Sequence, residues 1–362
     1  MNMFFLQPRR TGREQPSPVD RPRTSPIHAR HHLIPRMQAR LLAVLLVAIP
    51  AAILACSGGG PGSIVYTLTG AGVPNIYKVH PTEQAPIALT SDSGQAPAWS
   101  PNGQEIAFLS DRNGTAALWI MDSEGESERL LKDHSGPVTQ FKWAPDSRRI
   151  AYEVEQDDRS WIAVVDVDSG ETTSLTATSE DVQLGGWSPD GEWVAYAVLD
   201  GPAQGIHRKN PRGVNEIRVT DGPDTNPAWS PDGRWIAFNR DGEQGSADIF
   251  IVNRDGENLI NLTANEAADS EFDWSPDSRW IAFVSQRDGN PEVYVVSSDG
   301  RNTSRLTNNR VVDRQPRWSR DGGRVLFTSD NDGNFDLYTM NRDGSEQRRI
   351  THTGMDATEG HW

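Results

Sequence analysis

Residues 227–238 read Pro-Ala-Trp-Ser-Pro-Asp-Gly-Arg-Trp-Ile-Ala-Phe. Trp235 to Phe238 are apolar on both parities, which suits a short strand covered on both faces. Asp232-Gly233 ahead of them tolerates the positive φ that a tight hairpin demands. The same frame returns as Trp-Ser-Pro-Asp-Ser-Arg-Trp-Ile-Ala-Phe at 274–283 and as Trp-Ser-Arg-Asp-Gly-Gly-Arg-Val-Leu-Phe at 318–327. Its first tryptophan recurs at Trp99, Trp143, Trp187, Trp229, Trp274, Trp318 and Trp362, with spacings of 44, 44, 42, 45, 44 and 44 residues. A period in the forties marks a repeat architecture, in which each unit cannot bury its own faces and must stack on its neighbours.

Each repeat offers four short β-rich runs separated by Asn-Gly, Asp-Gly or Asp-Ser, so the runs are expected to pair antiparallel. Four-stranded sheets stacked face to face around an axis make a propeller. The first unit is incomplete: Ile64-Val-Tyr66, Asn75 to Val79 and Ile87 to Thr90 match the second, third and fourth strands, and the leading Trp strand is missing there. It stands at the other end, as Glu359-Gly-His-Trp362. The expected fold is therefore all-β, a seven-bladed β-propeller of four-stranded antiparallel blades, closed by the C-terminal strand joining the first blade.

The run Pro-Ala-Trp-Ser-Pro-Asp-Gly, followed by an Ile-Ala-Phe strand and by Asp-Gly before Leu-Thr, resembles the TolB-type propeller repeat, also called WD40-like or PD40. The resemblance covers residues 64–362. It implies a fold and leaves the activity open. The Gly-His and Trp-Asp signature of eukaryotic WD40 blades is absent, and no room remains for the α/β domain that precedes the propeller of periplasmic TolB, so a Tol-Pal role is not expected.

Residues 41–55 are the only long apolar run, with Arg36 and Arg40 before it. A basic flank, an apolar stretch of this length and a small residue at its end describe a secretory signal. Ile53-Leu-Ala-Cys56 resembles a bacterial lipobox, and Cys56 is the protein's one cysteine. The expected organisation is a disordered leader or misassigned start over 1–36, a lipoprotein signal over 37–55, lipidated Cys56 with a flexible Gly-rich tether to residue 63, and the propeller from 64 to 362. Such a chain is exported and faces the periplasm or the cell exterior, bound to the membrane by lipid alone. Removing the eight Arg and two acids of residues 1–56 from the totals of 35 and 50 leaves 27 basic and 48 acidic residues, a net charge of about −21. Nucleic acid is excluded as a partner for so acidic a surface.

Catalytic signatures are missing: there is no Gly-x-Ser-x-Gly elbow, phosphate loop, cysteine pair or His-Glu-x-x-His. The histidines of the propeller region, His80, His134, His207, His352 and His361, fall at different offsets in different repeats. Asp330-Asn-Asp-Gly-Asn-Phe-Asp336 alternates oxygens as calcium loops do, yet its Gly falls too early, and a hairpin turn accounts better for it. No metal site, catalytic residue or cofactor is expected. Asp146, Asp190, Asp232, Asp277 and Asp321, with Asn102, occupy the first hairpin of each complete repeat, where a short side chain bonds to its own turn. Trp119, Trp161, Trp193, Trp235 and Trp280 fit packing between blades.

The candidate site lies in the segments crossing from one blade to the next. Asp181, Asp224, Asp269, Asp313 and Asp356 precede the repeated Trp by five or six positions, and Glu271 and Glu359 precede it by three. Repetition at one offset is expected to gather them around the channel mouth as a negative funnel, or else to leave them as separate turn formers. Gln140, Asn226 and Gln315, also three before the Trp, suit hydrogen bonds to a peptide or glycan. The third complete repeat departs most, because Gly205 to Gly213 replaces the usual third-strand pattern and its Asp-Gly. The expected function is a non-catalytic scaffold, monomeric, for an envelope protein or peptide docked on the channel face, with a glycan-binding or metal-dependent polysaccharide lyase-like propeller as the alternative.

Overall fold

In the computed structural model, which describes residues 62–70, 72–82, 85–241 and 246–362, the strands form seven four-stranded antiparallel sheets arranged as the blades of a ring. The leader, the apolar run, Cys56 and most of the tether lie outside the described residues. Blade 1 joins the two ends: strand Asp356–His361 pairs with Ile64–Thr69, which pairs with Pro74–Val79 and then Ile87–Ala88. Blades 2 to 7 span residues 95–132, 138–174, 182–218, 225–261, 269–305 and 313–349, each running from the innermost strand outward. Gly205–Lys209 forms the third strand of blade 4, fully paired to Val194–Val198 despite its unusual sequence. β-Pairing asks only for extended backbone with its amides aligned, so the altered side chains leave the ladder intact.

The core is divided as a repeat ring requires. Its seven apolar clusters each join two neighbouring blades, and the cluster of Ile64, Tyr66, Leu326 and Leu337 fastens blade 7 to blade 1. The second strand of each blade supplies one buried ring at the same position: Tyr66, Phe108, Tyr152, Tyr196, Phe238, Phe283 and Phe327.

The tryptophan repeat has a hydrogen-bonding reason as well as an apolar one. The indole Nε1 of Trp143 donates to the carbonyl of Ala98, that of Trp187 to Lys142, Trp274 to Ala228 and Trp362 to Arg317, at 3.0–3.4 Å. Each acceptor sits immediately before the Trp of the preceding blade, so an indole both fills the gap and stitches one inner strand to the last. The Leu-Thr pair works similarly at the outer edge. Thr90, Thr176, Thr220, Thr263, Thr307 and Thr351 each accept, through Oγ1, a third-strand backbone N–H. The hairpin acids behave as expected: Asp146, Asp190, Asp232, Asp277, Asp321 and Asn102 accept the amide two residues on.

Candidate functional site: the central channel

The inner strands bulge three residues before the Trp. Ala96, Asn226, Glu271, Gln315 and Glu359 all hold left-handed φ of 49–56° there, and the pairing with the second strand slips in blades 1, 2, 5, 6 and 7. Pro97, Pro227 and Pro316 follow three of them, at a bulge where a missing N–H leaves no ladder bond broken. A non-Gly residue in this region costs about 1–2 kcal/mol, so something must hold it.

The neighbouring blade does so. The Gln315 amide donates to Glu271 Oε2 at 2.7 Å, the Glu359 amide to Gln315 Oε1 at 3.2 Å, and the Ala96 amide to Glu359 Oε2 at 2.8 Å. Asn226 donates likewise to Gln183 Oε1 at 2.7 Å. In blades 3 and 4 the buried carboxylate of Glu153 takes over, accepting from the Leu184 amide and from Gln140 Nε2. Glu271, Gln315 and Glu359 therefore line the channel while each gives one oxygen to the next blade. Asn226 and Gln140 line it beside them.

The five aspartates do not form a funnel. Asp224, Asp269 and Asp313 are fully buried. Arg240 grips Asp224 with Nε and a terminal nitrogen at 2.6 and 2.7 Å, and Arg287 holds Asp269 at 3.1–3.2 Å. Both guanidinium groups lie over aromatic rings of their own blade, Phe238 and Phe250 for Arg240, Phe283 and Tyr294 for Arg287. A carboxylate taken out of water needs such a partner. Burial still pushes Asp269 up against the opposing hydrogen bonds from Ser285 and Arg287. Asp313 Oδ2 accepts from Asn309 Nδ2 at 2.7 Å, and burial, with Glu292 nearby, pushes it up against the hydrogen bonds of Ser329, Thr307 and Asn309. Asp181, half-buried, accepts from the Ser160 amide, and exposed Asp356 accepts from the Phe335 amide.

A second tier, one residue before the Trp, was not singled out by the sequence. Ala98, Gly186 and Ala228 stand there in three blades, whereas Lys142, Asp273, Arg317 and His361 stand in the other four. Asp273 Oδ2 accepts the Trp318 amide at 2.8 Å, and His361 Nδ1 accepts the Trp99 amide at 3.3 Å. Burial, with Arg317, Arg320 and Lys142 around it, holds His361 down to about 3, which keeps the ring neutral and able to accept. Lys142 is ringed by protein although its side chain opens into the channel. That enclosure and Arg317 lower it to about 8 against the pull of Asp273.

Cavities of about 480 and 250 Å³ share Gln140, Lys142, Gln315 and Arg317 as walls. A third of about 390 Å³ lies on the hairpin side, against Pro231, Pro276, Arg320, His361 and Trp362. Arg320 reaches from blade 7 to the carbonyls of Ser100 and Pro101 in blade 2, past blade 1. Among the described residues, no three His, Cys, Asp or Glu side chains come together as a metal site.

Residues 61–242, 215–302 and 273–362 match the TolB β-propeller domain family, PD40. A segment of 59 residues is 41% identical to an uncharacterized peptidase, YuxL, of Bacillus subtilis (strain 168); the match covers 16% of this chain and 9% of that protein. Among solved structures, an oligogalacturonate lyase in complex with manganese superposes with a TM-score of 0.66 at 18% identity, over 77% of this chain and 85% of that one. TolB from Acinetobacter baumannii gives 0.53 at 17% identity, over 84% and 67%. A prolyl endopeptidase gives 0.65 at 14% identity, over 82% and 49%. At these identities the structural likeness shows the fold alone.

Proposed function

The chain belongs to the TolB β-propeller domain family, and from that membership we propose that it is an exported, lipid-anchored, monomeric scaffold that binds an envelope protein or peptide over its central channel without catalysing a reaction. The observation that carries this reading is the channel wall. Side chains from blades 1, 3, 5, 6 and 7 converge on it: Glu359, Gln140, Asn226, Glu271 and Gln315 at one level, Lys142, Asp273 and Arg317 at the next. Such a wall offers donors and acceptors in a ring and suits a peptide with satisfied backbone groups.

The non-catalytic reading is supported by what these groups already do. Asp273 and His361 have lone pairs turned to the backbone amides of the next blade, and Glu271 and Glu359 each hold a bulge amide. The lipobox-like Ile53-Leu-Ala-Cys56 supports the anchor and hence export.

The test is crosslinking and affinity capture from envelope extracts with the full chain, in parallel with Cys56→Ala. The expected result is one enriched partner whose crosslinks map to the Gln140–Asn226–Gln315 tier, and release of the Cys56→Ala protein from the membrane fraction. Release of unsaturated sugars from polyuronates by the purified protein would overturn the non-catalytic reading in favour of the lyase-like alternative.

A further inference from the structure

We propose that Lys142 and Arg317 form a carboxylate-binding site inside the channel, and that its ligand is a single acidic side chain on an extended peptide inserted between the blades. The inference rests on the scaffold reading and names the chemistry of the bound segment.

Three features of the wall point to it. Lys142 Nζ has no hydrogen bond or ion pair with any described residue; Lys132, on the outermost strand of blade 2, has none either, whereas Lys78 and Lys209 are paired with Glu124 and Glu216. Arg317 has one acidic neighbour, Asp273, at 3.9 Å, and that carboxylate already accepts the Trp318 amide. The two cations come from blades 3 and 7, nearly opposite in a ring of seven, and both line the cavities of about 480 and 250 Å³. Each therefore feels the other's charge, and a carboxylate placed between them would remove that repulsion and accept charge-assisted hydrogen bonds. At the same level Asp273 is the one carboxylate, turned to the Trp318 amide through one oxygen, while Ala98, Gly186 and Ala228 project nothing polar. The depressed proton affinity of Lys142 agrees with a cation left without a partner. In a domain of net charge about −21, two cations lining the same cavities run against the composition.

The tier above sets the rest of the specificity. Gln140, Asn226 and Gln315 offer carboxamides to a peptide backbone, while Glu271 and Glu359 are exposed there and carry negative charge. A ligand with a carboxylate on every unit, such as an oligouronate, would bring its second and third charges against these glutamates. A peptide with one Asp or Glu flanked by neutral or basic residues meets both tiers favourably.

A random decapeptide display library panned against the wild-type protein and against Lys142→Gln/Arg317→Gln tests the inference. Wild-type selection should enrich peptides with one acid, and the double variant should not. A synthetic peptide from the enriched set should lose about tenfold or more in affinity when its acid is changed to the amide, or when Lys142→Gln is used. Lys142→Arg should keep most of it. Thermal melts of each variant verify the fold. Equal enrichment of acids by the double variant, absence of acid enrichment, or displacement of the peptide by trigalacturonate at equal concentration would overturn the proposal. If an envelope partner is captured with undiminished affinity by the double variant, the scaffold reading stands and the carboxylate site falls.

Discussion

The indole Nε1 of Trp187 donates to the carbonyl oxygen of Lys142 at 3.0 Å, so the repeat that builds the ring also fixes the backbone of the residue that arms its channel. The bond spans 45 residues in sequence and one blade in space. Trp318, at the equivalent position in blade 7, is equally buried, but its Nε1 has no partner among the described residues.

These two tryptophans separate packing from hydrogen bonding. Trp187→Phe removes both indole packing and the bond that Lys142 accepts, and it weakens the cation–π contact with Arg149 at 4.7 Å. Trp318→Phe removes packing and a buried donor with nothing to bond. Urea denaturation should show Trp187→Phe less stable than Trp318→Phe by about 1 kcal/mol. Equal losses would mean the indole bonds contribute nothing net.

Ala96 gives the bulge a test of its own. Its φ of 50° is shared with Asn226, Glu271, Gln315 and Glu359, but it has no polar side chain with which to continue the relay. Ala96→Gly should stabilise the protein by about 0.5–1 kcal/mol, because glycine reaches this region without strain and the N–H to Glu359 is kept. A lower melting temperature for Ala96→Gly would show that the strain is not relieved there.

The buried aspartates of blades 5 and 7 should respond in opposite directions to the same change. Asp224→Asn breaks a buried, two-pronged pair with Arg240 and should cost about 3 kcal/mol. Asp313 is paired with no arginine among the described residues, and burial raises its folded pKa. Its ionised form is therefore disfavoured in the fold, and stability falls as pH rises above the usual carboxylate range through that raised value. Asp313→Asn should remove this fall and raise stability at pH 7, read by denaturation from pH 4 to 8. A destabilised Asp313→Asn protein with the wild-type pH slope would contradict the assignment.

The blade count and the seam were legible because they rest on features that repeat in most blades: an indole packed between neighbours, an Asx turn in the first hairpin, and a Thr that accepts a third-strand amide in six of the seven. The channel was less so. An offset of five before the Trp groups Asp224, Asp269 and Asp313 in sequence, but it says nothing of whether an arginine sixteen or eighteen residues later covers each; Arg240 covers Asp224 and Arg287 covers Asp269, while Asp313 is left to Asn309. The offset of three groups Glu271, Gln315 and Glu359, yet says nothing of their bonds across blades, which depend on a bulge that a period-two pattern hides. Lys142, Asp273, Arg317 and His361 were overlooked because they interrupt the repeat. Comparing the residue before each Trp, where Ala98 and Ala228 follow the Pro-Ala-Trp form, would have exposed them.

Lys142 should trade stability for binding. Its proton affinity is lower in the fold than in the unfolded chain, so between about pH 8 and the ordinary lysine range the unfolded state binds more protons and stability rises with pH. Lys142→Met should be more stable than wild type at pH 7 and should lose that rise. Asp273, Arg317, Glu271, Glu359 and His361 share the channel with Lys142; burial raises Asp273, and His361, held down to about 3, is neutral across this window. Affinity for a single-acid peptide runs the other way, falling as pH passes through about 8 in wild type and staying flat and weak in Lys142→Met. Denaturation curves and peptide titrations from pH 6.5 to 10 measure both. A wild-type affinity that holds steady to pH 10 would remove the ammonium of Lys142 from the binding of the carboxylate.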